Sequence, residues 1–121
     1  MEYAIENEYL IVTVTTWGAQ VKSVVRKFDD VEHMWQADKS VWGYHAPILF
    51  PHTGKVVDDL IETKGEVYQA KQHGFARLME HTLVRQTEDT IVMELRSSEE
   101  TLRIFPYAFR LVSTFTLDGD T

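Results

Sequence analysis

Gln72-His73-Gly74-Phe75-Ala76-Arg77 is the stretch from which both the fold and the site of this chain are most directly inferred. If the segment is extended, side chains alternate along it, so His73, Phe75 and Arg77 share one face. The two small residues between them leave room for another backbone segment to approach. An imidazole, an aromatic ring and a guanidinium in a row suit a pyranose sugar, whose C–H face can lie on Phe75. The alternative is a half-buried strand whose His73 and Arg77 bind backbone carbonyls, and spacing alone favours that alternative.

The residues before this stretch have the pattern of an antiparallel meander. Residues 3–5, 10–15 and 20–28 are predicted as successive strands because apolar and β-branched residues alternate or cluster there. Asp29-Asp30 is a polar turn, after which residues 31–35 can return beside the preceding strand. Residues 46–51 are apolar but bracketed by prolines, which predicts a loop or an edge segment.

The residues around and after the stretch predict further strands, at 56–61, 66–70, 81–85, 90–96 and 109–117. The first two form a hairpin around Lys64-Gly65, and the next two form another. Ile91, Met93 and Leu95 share one face of the second hairpin. Ser97 and Glu100 have the spacing of a capping box, which predicts one helical turn between the last two strands.

The chain stops at Asp118-Gly119-Asp120-Thr121, directly after its most regular alternating strand. Asp-Gly after such a strand is a strong hairpin signal, yet no second arm follows. We therefore expect the chain to be the N-terminal part of a longer protein. The alternative is a natural end, with the last strand paired elsewhere. An unpaired apolar strand would also favour association between two copies.

Composition limits the function classes. The 121 residues, with 44% hydrophobic and 26% charged residues, fit one globular domain that spans residues 1–121. The net charge of −7 argues against nucleic-acid and anionic-membrane partners, which need a basic surface. No apolar run reaches the length of a membrane span, no secretory signal begins the chain, and cysteine is absent. These features fit a cytoplasmic protein.

Candidate chemistry narrows to a few side chains. None of the five histidines (His33, His45, His52, His73 and His81) forms a close metal-binding pair, and no nucleophile or phosphate-loop motif occurs. The three tryptophans (Trp17, Trp35 and Trp42) are more typical of a core than of a ligand platform, with Trp42 the best exception. His73 and Arg77 remain, together with Lys55. An imidazole can donate or accept a proton near neutrality, and a guanidinium can hold a hydroxyl or an oxyanion.

An ordered set of motifs resembles the aldose 1-epimerase (galactose mutarotase-like) family, nearest to its LacX-type branch. The marks are Gly18-Ala19, Trp35 with Asp38, Trp42, Pro47-Ile48-Leu49-Phe50-Pro51 followed by Gly54-Lys55, His73-Gly74-Phe75-Ala76-Arg77, and Phe105-Pro106-Tyr107 with Phe109. They run along nearly all of the chain. The resemblance implies an all-β fold, a large antiparallel β-sandwich (supersandwich) of which this chain is a partial domain. It also implies interconversion of the anomers of a free aldose, without a cofactor.

The resemblance also implies roles for individual residues. His73 matches the histidine that contacts the sugar near the reacting carbon, where it would assist catalysis. Lys55 stands where many relatives have a sugar-binding arginine, and Arg77 belongs to the same motif as His73. The expected substrate-binding residues are thus Lys55, His73, Phe75 and Arg77. The family's principal acid and base lie in the second half of the full-length protein, so no base is assigned here and the chain alone is expected to be inactive.

Two other functions remain open at this stage. A β-sandwich of this kind could bind carbohydrate without turning it over, because a fold does not fix a function. Alternatively, Lys55 and Arg77 could hold a phosphate, which would favour epimerisation of a hexose 6-phosphate.

Overall fold

A computed structural model describes all 121 residues, and it consists mainly of β-strands. The strands are β1 (Glu2–Glu6), β2 (Leu10–Thr15), β3 (Gln20–Arg26), β4 (Val31–Glu32), β5 (Leu60–Thr63), β6 (Glu66–Gln69), β7 (Thr82–Gln86), β8 (Thr90–Arg96) and β9 (Arg110–Thr116). One short helix, α1 (Glu99–Leu102), and two 3-10 turns, Val57–Asp59 and Ala76–Leu78, complete the regular structure. No helix has the length and apolar character needed to cross a membrane.

The strands form three antiparallel sheets. The first has the order β1-β2-β3-β4, the second is the hairpin β5-β6, and the third has the order β7-β8-β9. Every pairing joins consecutive strands, so the predicted meander and both predicted hairpins are confirmed. Lys64 and Gly65 both have positive φ, at 54° and 76°, as expected for a tight hairpin turn.

The first and third sheets pack face to face and enclose the main core. Alternation places Leu10, Val12 and Val14 of β2 on the inner side, where they are buried together with Ile91 and Met93 of β8. Since two sheets share this apolar layer, the expected β-sandwich is confirmed.

A second, smaller core lies beside the first and contains Leu95, the remaining buried apolar residue of β8. It is centred on Phe75, Ala76 and Leu95, with Phe50 and several residues from 104–111 packed around them. The rings of Phe50, Phe75, Phe105 and Phe109 lie with their centroids 5.0–6.2 Å apart. This aromatic cluster brings together segments that are far apart in the sequence and fixes the loop that contains residues 72–77.

Two of the predicted strands have bounds that differ from those in the structure. The strand predicted at 31–35 has only two paired residues, Val31 and Glu32. The strand predicted at 56–61 begins instead with the turn Val57–Asp59, in which Asp58 and Asp59 both adopt positive φ, and the hairpin starts only at Leu60.

The helical turn near residue 100 is confirmed, but its predicted cap is one residue out of place. Ser98, not Ser97, caps α1: its hydroxyl accepts a hydrogen bond from the Thr101 N–H, 3.3 Å away. The Thr101 hydroxyl in turn accepts one from the Ser98 N–H at 2.8 Å. Thr101 therefore has the place in the capping box that the sequence suggested for Glu100, and it is fully buried.

Candidate functional site

The segment at residues 72–77 is a tight turn, so the prediction that it is extended is wrong. His73 and Gly74 have φ values of 66° and 72°, and Phe75 leads directly into the 3-10 turn Ala76–Leu78. The Gly74 N–H donates to the Lys71 carbonyl, 3.0 Å away, which closes the turn. Because two successive residues are left-handed, His73, Phe75 and Arg77 do not share a face in the way that strand alternation implies.

Gly74 allows this turn to press against the backbone of Phe50. The N–H groups of Phe75 and Ala76 both donate to the Phe50 carbonyl, at 2.9 and 3.2 Å. A Cβ atom on Gly74 would lie only 2.1 Å from that carbonyl oxygen. The expectation of a close backbone approach at this glycine is therefore confirmed, although by a turn rather than by a strand.

His73 is anchored to the loop that carries Lys55. Its N–H donates to the Gly54 carbonyl at 3.0 Å, and its Nδ1 accepts a hydrogen bond from the Gly54 N–H at 2.9 Å. Since Nδ1 supplies a lone pair, the ring proton is on Nε2, which is an available donor beside the Gln72 amide. The ring is half-buried, and the exposed Lys55 directly follows Gly54 in the chain.

Arg77 folds back over the same turn. Its Nη2 donates to the Gln72 carbonyl at 3.1 Å, and its guanidinium carbon lies 4.7 Å from the centre of the Tyr44 ring. Its Nε is buried and has no hydrogen-bond partner. The guanidinium is thus held at the carbonyl of Gln72, the residue before His73, and over one aromatic ring, and not all of its donors are used.

The side chain of Phe75 lies apart from those of His73 and Arg77. Only 9% of it is exposed, and its ring is part of the aromatic cluster defined above. It lines a cavity of about 520 Å³ between that cluster, the β5-β6 hairpin and α1. Lys55, His73 and Arg77 do not line this cavity. The structure therefore brings His73 and Arg77 together beside the loop of Lys55 and separates Phe75 from them.

Sequence reasoning missed two residues that shape the site. Tyr44 supports Arg77 from a loop 33 positions earlier, so no local spacing points to it. His81 is 2% exposed, and its Nε2 bonds to the Ala76 carbonyl at 2.9 Å, which ties down the turn that carries Arg77. Burial lowers the pKa of His81, while the Ala76 carbonyl and the Glu80 charge partly oppose that effect.

The expectation that the tryptophans belong to the core is wrong. Trp17, Trp35 and Trp42 are between 43% and 50% exposed. Trp35 and Trp42 are held together, since the Trp35 indole N–H donates to the Trp42 carbonyl at 2.8 Å. The Trp42 ring also lies 5.9 Å from the ring of Tyr44, the residue that contacts Arg77, and a role for Trp42 as a ligand platform stays a prediction.

Comparison with known proteins gives consistent results. The family model for aldose 1-epimerase matches residues 1–121. The plasmid-encoded protein LacX of Lactococcus lactis is 34% identical over 98% of this chain and 41% of its own length. The galactose mutarotase related enzyme of Lactobacillus acidophilus superposes with a TM-score of 0.96 at 37% identity, over 98% of this chain and 39% of that one. A galactose mutarotase-like protein from Lactobacillus casei superposes with a TM-score of 0.94 at 33% identity, over 98% of this chain and 40% of that one. The chain thus spans about two fifths of the length of these relatives.

Proposed function

Because the chain belongs to the aldose 1-epimerase family, we propose that its turn at residues 72–77 forms part of a sugar site for the interconversion of aldose anomers. The observation that carries this proposal is the arrangement of His73, which is hydrogen-bonded to Gly54 through both its backbone and its ring, beside the partly unpaired guanidinium of Arg77. Such a turn presents fixed donors to a ligand rich in hydroxyl groups.

In this reaction a base removes the proton of the C1 hydroxyl while an acid protonates the ring oxygen. The ring opens to the aldehyde, the C1 group turns, and closure from the other face gives the second anomer. His73 would assist by donating a hydrogen bond from Nε2–H to a sugar oxygen near C1. With its Nδ1 occupied by the Gly54 amide, the ring has no free lone pair to act as the base.

The other three residues have supporting roles in the proposal. Arg77 would hold a hydroxyl through the donors that remain free, and Lys55 would reach the sugar from the neighbouring loop. Phe75, which is almost fully buried, would stabilise the turn from behind with only its small exposed part available to the ligand.

Sugar binding is tested by titrating the chain with D-galactose and D-glucose and following amide chemical shifts. Arg77→Met keeps most of the side chain's bulk and removes a charged donor, so we expect affinity to fall by roughly ten- to a hundredfold, since such hydrogen bonds contribute about 1.5–3 kcal/mol. Arg103→Met, at an exposed arginine without an ion pair, is the control and should bind as the wild type does. Equal affinities in the two variants would exclude Arg77 from the site.

Catalysis is tested separately by following the equilibration of pure α-D-glucose by polarimetry. Because no residue of this chain is assigned as the base, we expect the chain to leave the rate at the buffer value. A rate above that value, proportional to protein concentration, would contradict the absence of a base among these residues.

A hexose 6-phosphate is the second candidate substrate. Lys55 and the guanidinium of Arg77 both belong to the proposed site, and a positively charged donor binds a phosphate oxygen more strongly than a hydroxyl. Tighter binding of glucose 6-phosphate than of glucose, with the difference lost in Arg77→Met, would favour this substrate. Binding of either sugar that never leads to turnover, even in the longer relatives, would favour a binding module.

The proposal extends to partners and location. Besides a sugar, association with a second copy of the chain stays a prediction from the sequence. A cytoplasmic location stays a prediction from the sequence.

A further inference from the structure

His81 is a buried histidine to which the proposed reaction gives no role. The residue is 2% exposed, so other residues of this chain already enclose its ring. Its Nε2 lies 2.9 Å from the Ala76 carbonyl oxygen, which can only accept a hydrogen bond, so the ring proton is on Nε2. The buried Nδ1 has no partner and keeps its lone pair. Because burial lowers the pKa of His81, the ring is neutral near neutral pH, as this environment requires.

The backbone of His81 is fixed independently of its ring. Its N–H donates to the Thr16 carbonyl at 2.8 Å, and two residues earlier the Met79 carbonyl accepts from the Gly18 N–H, also at 2.8 Å. These two bonds hold the segment that carries the imidazole against the chain directly after β2. The ring therefore extends from a restrained backbone to the Ala76 carbonyl.

The bond from His81 fixes the peptide group that leads into Arg77. Ala76 is fully buried and begins the 3-10 turn, and its N–H donates to the Phe50 carbonyl at 3.2 Å. Its carbonyl accepts from the His81 ring at 2.9 Å and from the Met79 N–H at 3.3 Å, so the imidazole makes the shorter of the two bonds. Since a peptide group is planar, the direction of this carbonyl also sets the direction in which the backbone enters Arg77.

We propose that His81 is a positioning residue of the sugar site and that it acts through Arg77. With the peptide before Arg77 held in place, the guanidinium reaches the Gln72 carbonyl at 3.1 Å and the Tyr44 ring at 4.7 Å. Without the bond from His81, this peptide is less restrained and the guanidinium is spread over several positions. The inference rests on the proposed function, because that function assigns Arg77 to sugar binding.

The first test needs no sugar. The Arg77 Nε atom is buried, so its N–H should exchange slowly with water and give a resolved nitrogen-15 NMR signal. His81→Gln keeps a donor that can reach the Ala76 carbonyl, whereas His81→Met fills similar space without a donor. We expect the slow Arg77 signal in the wild type and in His81→Gln, and exchange at least about tenfold faster in His81→Met, because the turn then opens more often. A signal unchanged in His81→Met, lost in His81→Gln, or absent from the wild type would overturn the proposal.

A second variant without the bond guards against misfolding of His81→Met. His81→Asn has the same amide group as His81→Gln, but it is one methylene shorter and stops short of the Ala76 carbonyl. The two amide variants therefore differ in reach and not in chemistry. We expect fast exchange of the Arg77 Nε–H in His81→Asn, and slow exchange in a folded His81→Asn would contradict the proposal.

The second test separates positioning from a general loss of stability by a double-mutant cycle with D-galactose. In the wild-type background, His81→Met should weaken binding roughly fivefold, a coupling typical of residues in one contact network, and His81→Gln should restore it. In the Arg77→Met background, His81→Met should have little effect, because no guanidinium remains to be placed. The same fold loss in both backgrounds would show that His81 does not act through Arg77. A wild type that binds no galactose would exclude the sugar site itself, while the Arg77 Nε–H comparison still decides whether His81 positions Arg77.

Discussion

At the scale of single residues, the backbone conformation of the turn at 72–77 could not be predicted from alternation in the sequence. Alternation along a strand assumes negative φ throughout, but His73 and Gly74 both adopt positive φ. A glycine such as Gly74 indicates in the sequence that positive φ is possible. A histidine in this conformation is uncommon and depends on the bonds between His73 and Gly54, 19 residues away. The motif therefore predicts which residues belong to the proposed site, whereas the geometry of the turn depends on contacts that are distant in the sequence.

The first prediction concerns Gly74. Gly74→Ala places a Cβ 2.1 Å from the Phe50 oxygen in addition to the strain of positive φ, while Gly65→Ala has the same strain and no atom within 4 Å. Left-handed strain costs roughly 1 kcal/mol and overpacking roughly 1–3 kcal/mol more. We expect urea unfolding to show a clearly larger loss of stability for Gly74→Ala. Equal losses would mean that the turn does not press on Phe50.

The second prediction concerns His81. Its pKa in the folded chain lies below the ordinary value of about 6.5, because burial opposes the charged ring. At a pH between the pKa of His81 in the folded chain and its pKa in the unfolded chain, the unfolded chain binds more protons than the folded chain. The free energy of unfolding therefore falls as pH drops through about 6.5 and levels off below the folded pKa.

The measurement is the unfolding free energy at several pH values from about pH 7.5 down to about pH 5.5, above the range where carboxylates titrate. His81→Gln can still donate to the Ala76 carbonyl but does not titrate. We expect the wild type to lose more stability over this range than the variant. Parallel curves would show that His81 is not buried as described.

At the scale of elements, regular alternation predicted the bounds of three long strands, whereas the predicted bounds of two short strands, β4 and β5, were wrong. β2, β8 and β9 lie within a residue of their predicted bounds, because each has one face in an apolar core. The cap of α1 differs by one residue because the sequence signal pairs Ser97 with Glu100, whereas the structure pairs Ser98 with Thr101, which is fully buried.

The third prediction separates these two serines. Ser98→Ala removes the hydroxyl that accepts from the Thr101 N–H, which should cost about 1 kcal/mol of unfolding free energy. Ser97 contributes its backbone N–H to the Phe109 carbonyl, and Ser97→Ala keeps that bond. The expected loss for Ser97→Ala is within about 0.5 kcal/mol. A larger loss of unfolding free energy for Ser97→Ala than for Ser98→Ala would show that Ser97, not Ser98, caps α1.

At the scale of the whole molecule, the sequence was enough for an all-β fold but not for the way its sheets meet. No local pattern says that β2 packs on β8, or that Phe50, Phe75, Phe105 and Phe109 form one cluster. The ordered family motifs supplied that information indirectly, and the superposition with longer relatives agrees with it. Contacts that are distant in sequence, such as Tyr44 with Arg77, needed the folded structure.

The central claim is that the turn around His73 binds a sugar, and the imidazole of His73 reports on it directly. Nitrogen-15 spectra of the histidine rings, recorded during titration with D-galactose, measure both the position of the ring proton and ligand contact. The account predicts a proton on Nε2 before titration and a saturable shift of that nitrogen as sugar binds. A His73 signal that stays unchanged at saturating galactose, while other residues shift or none do, would contradict it.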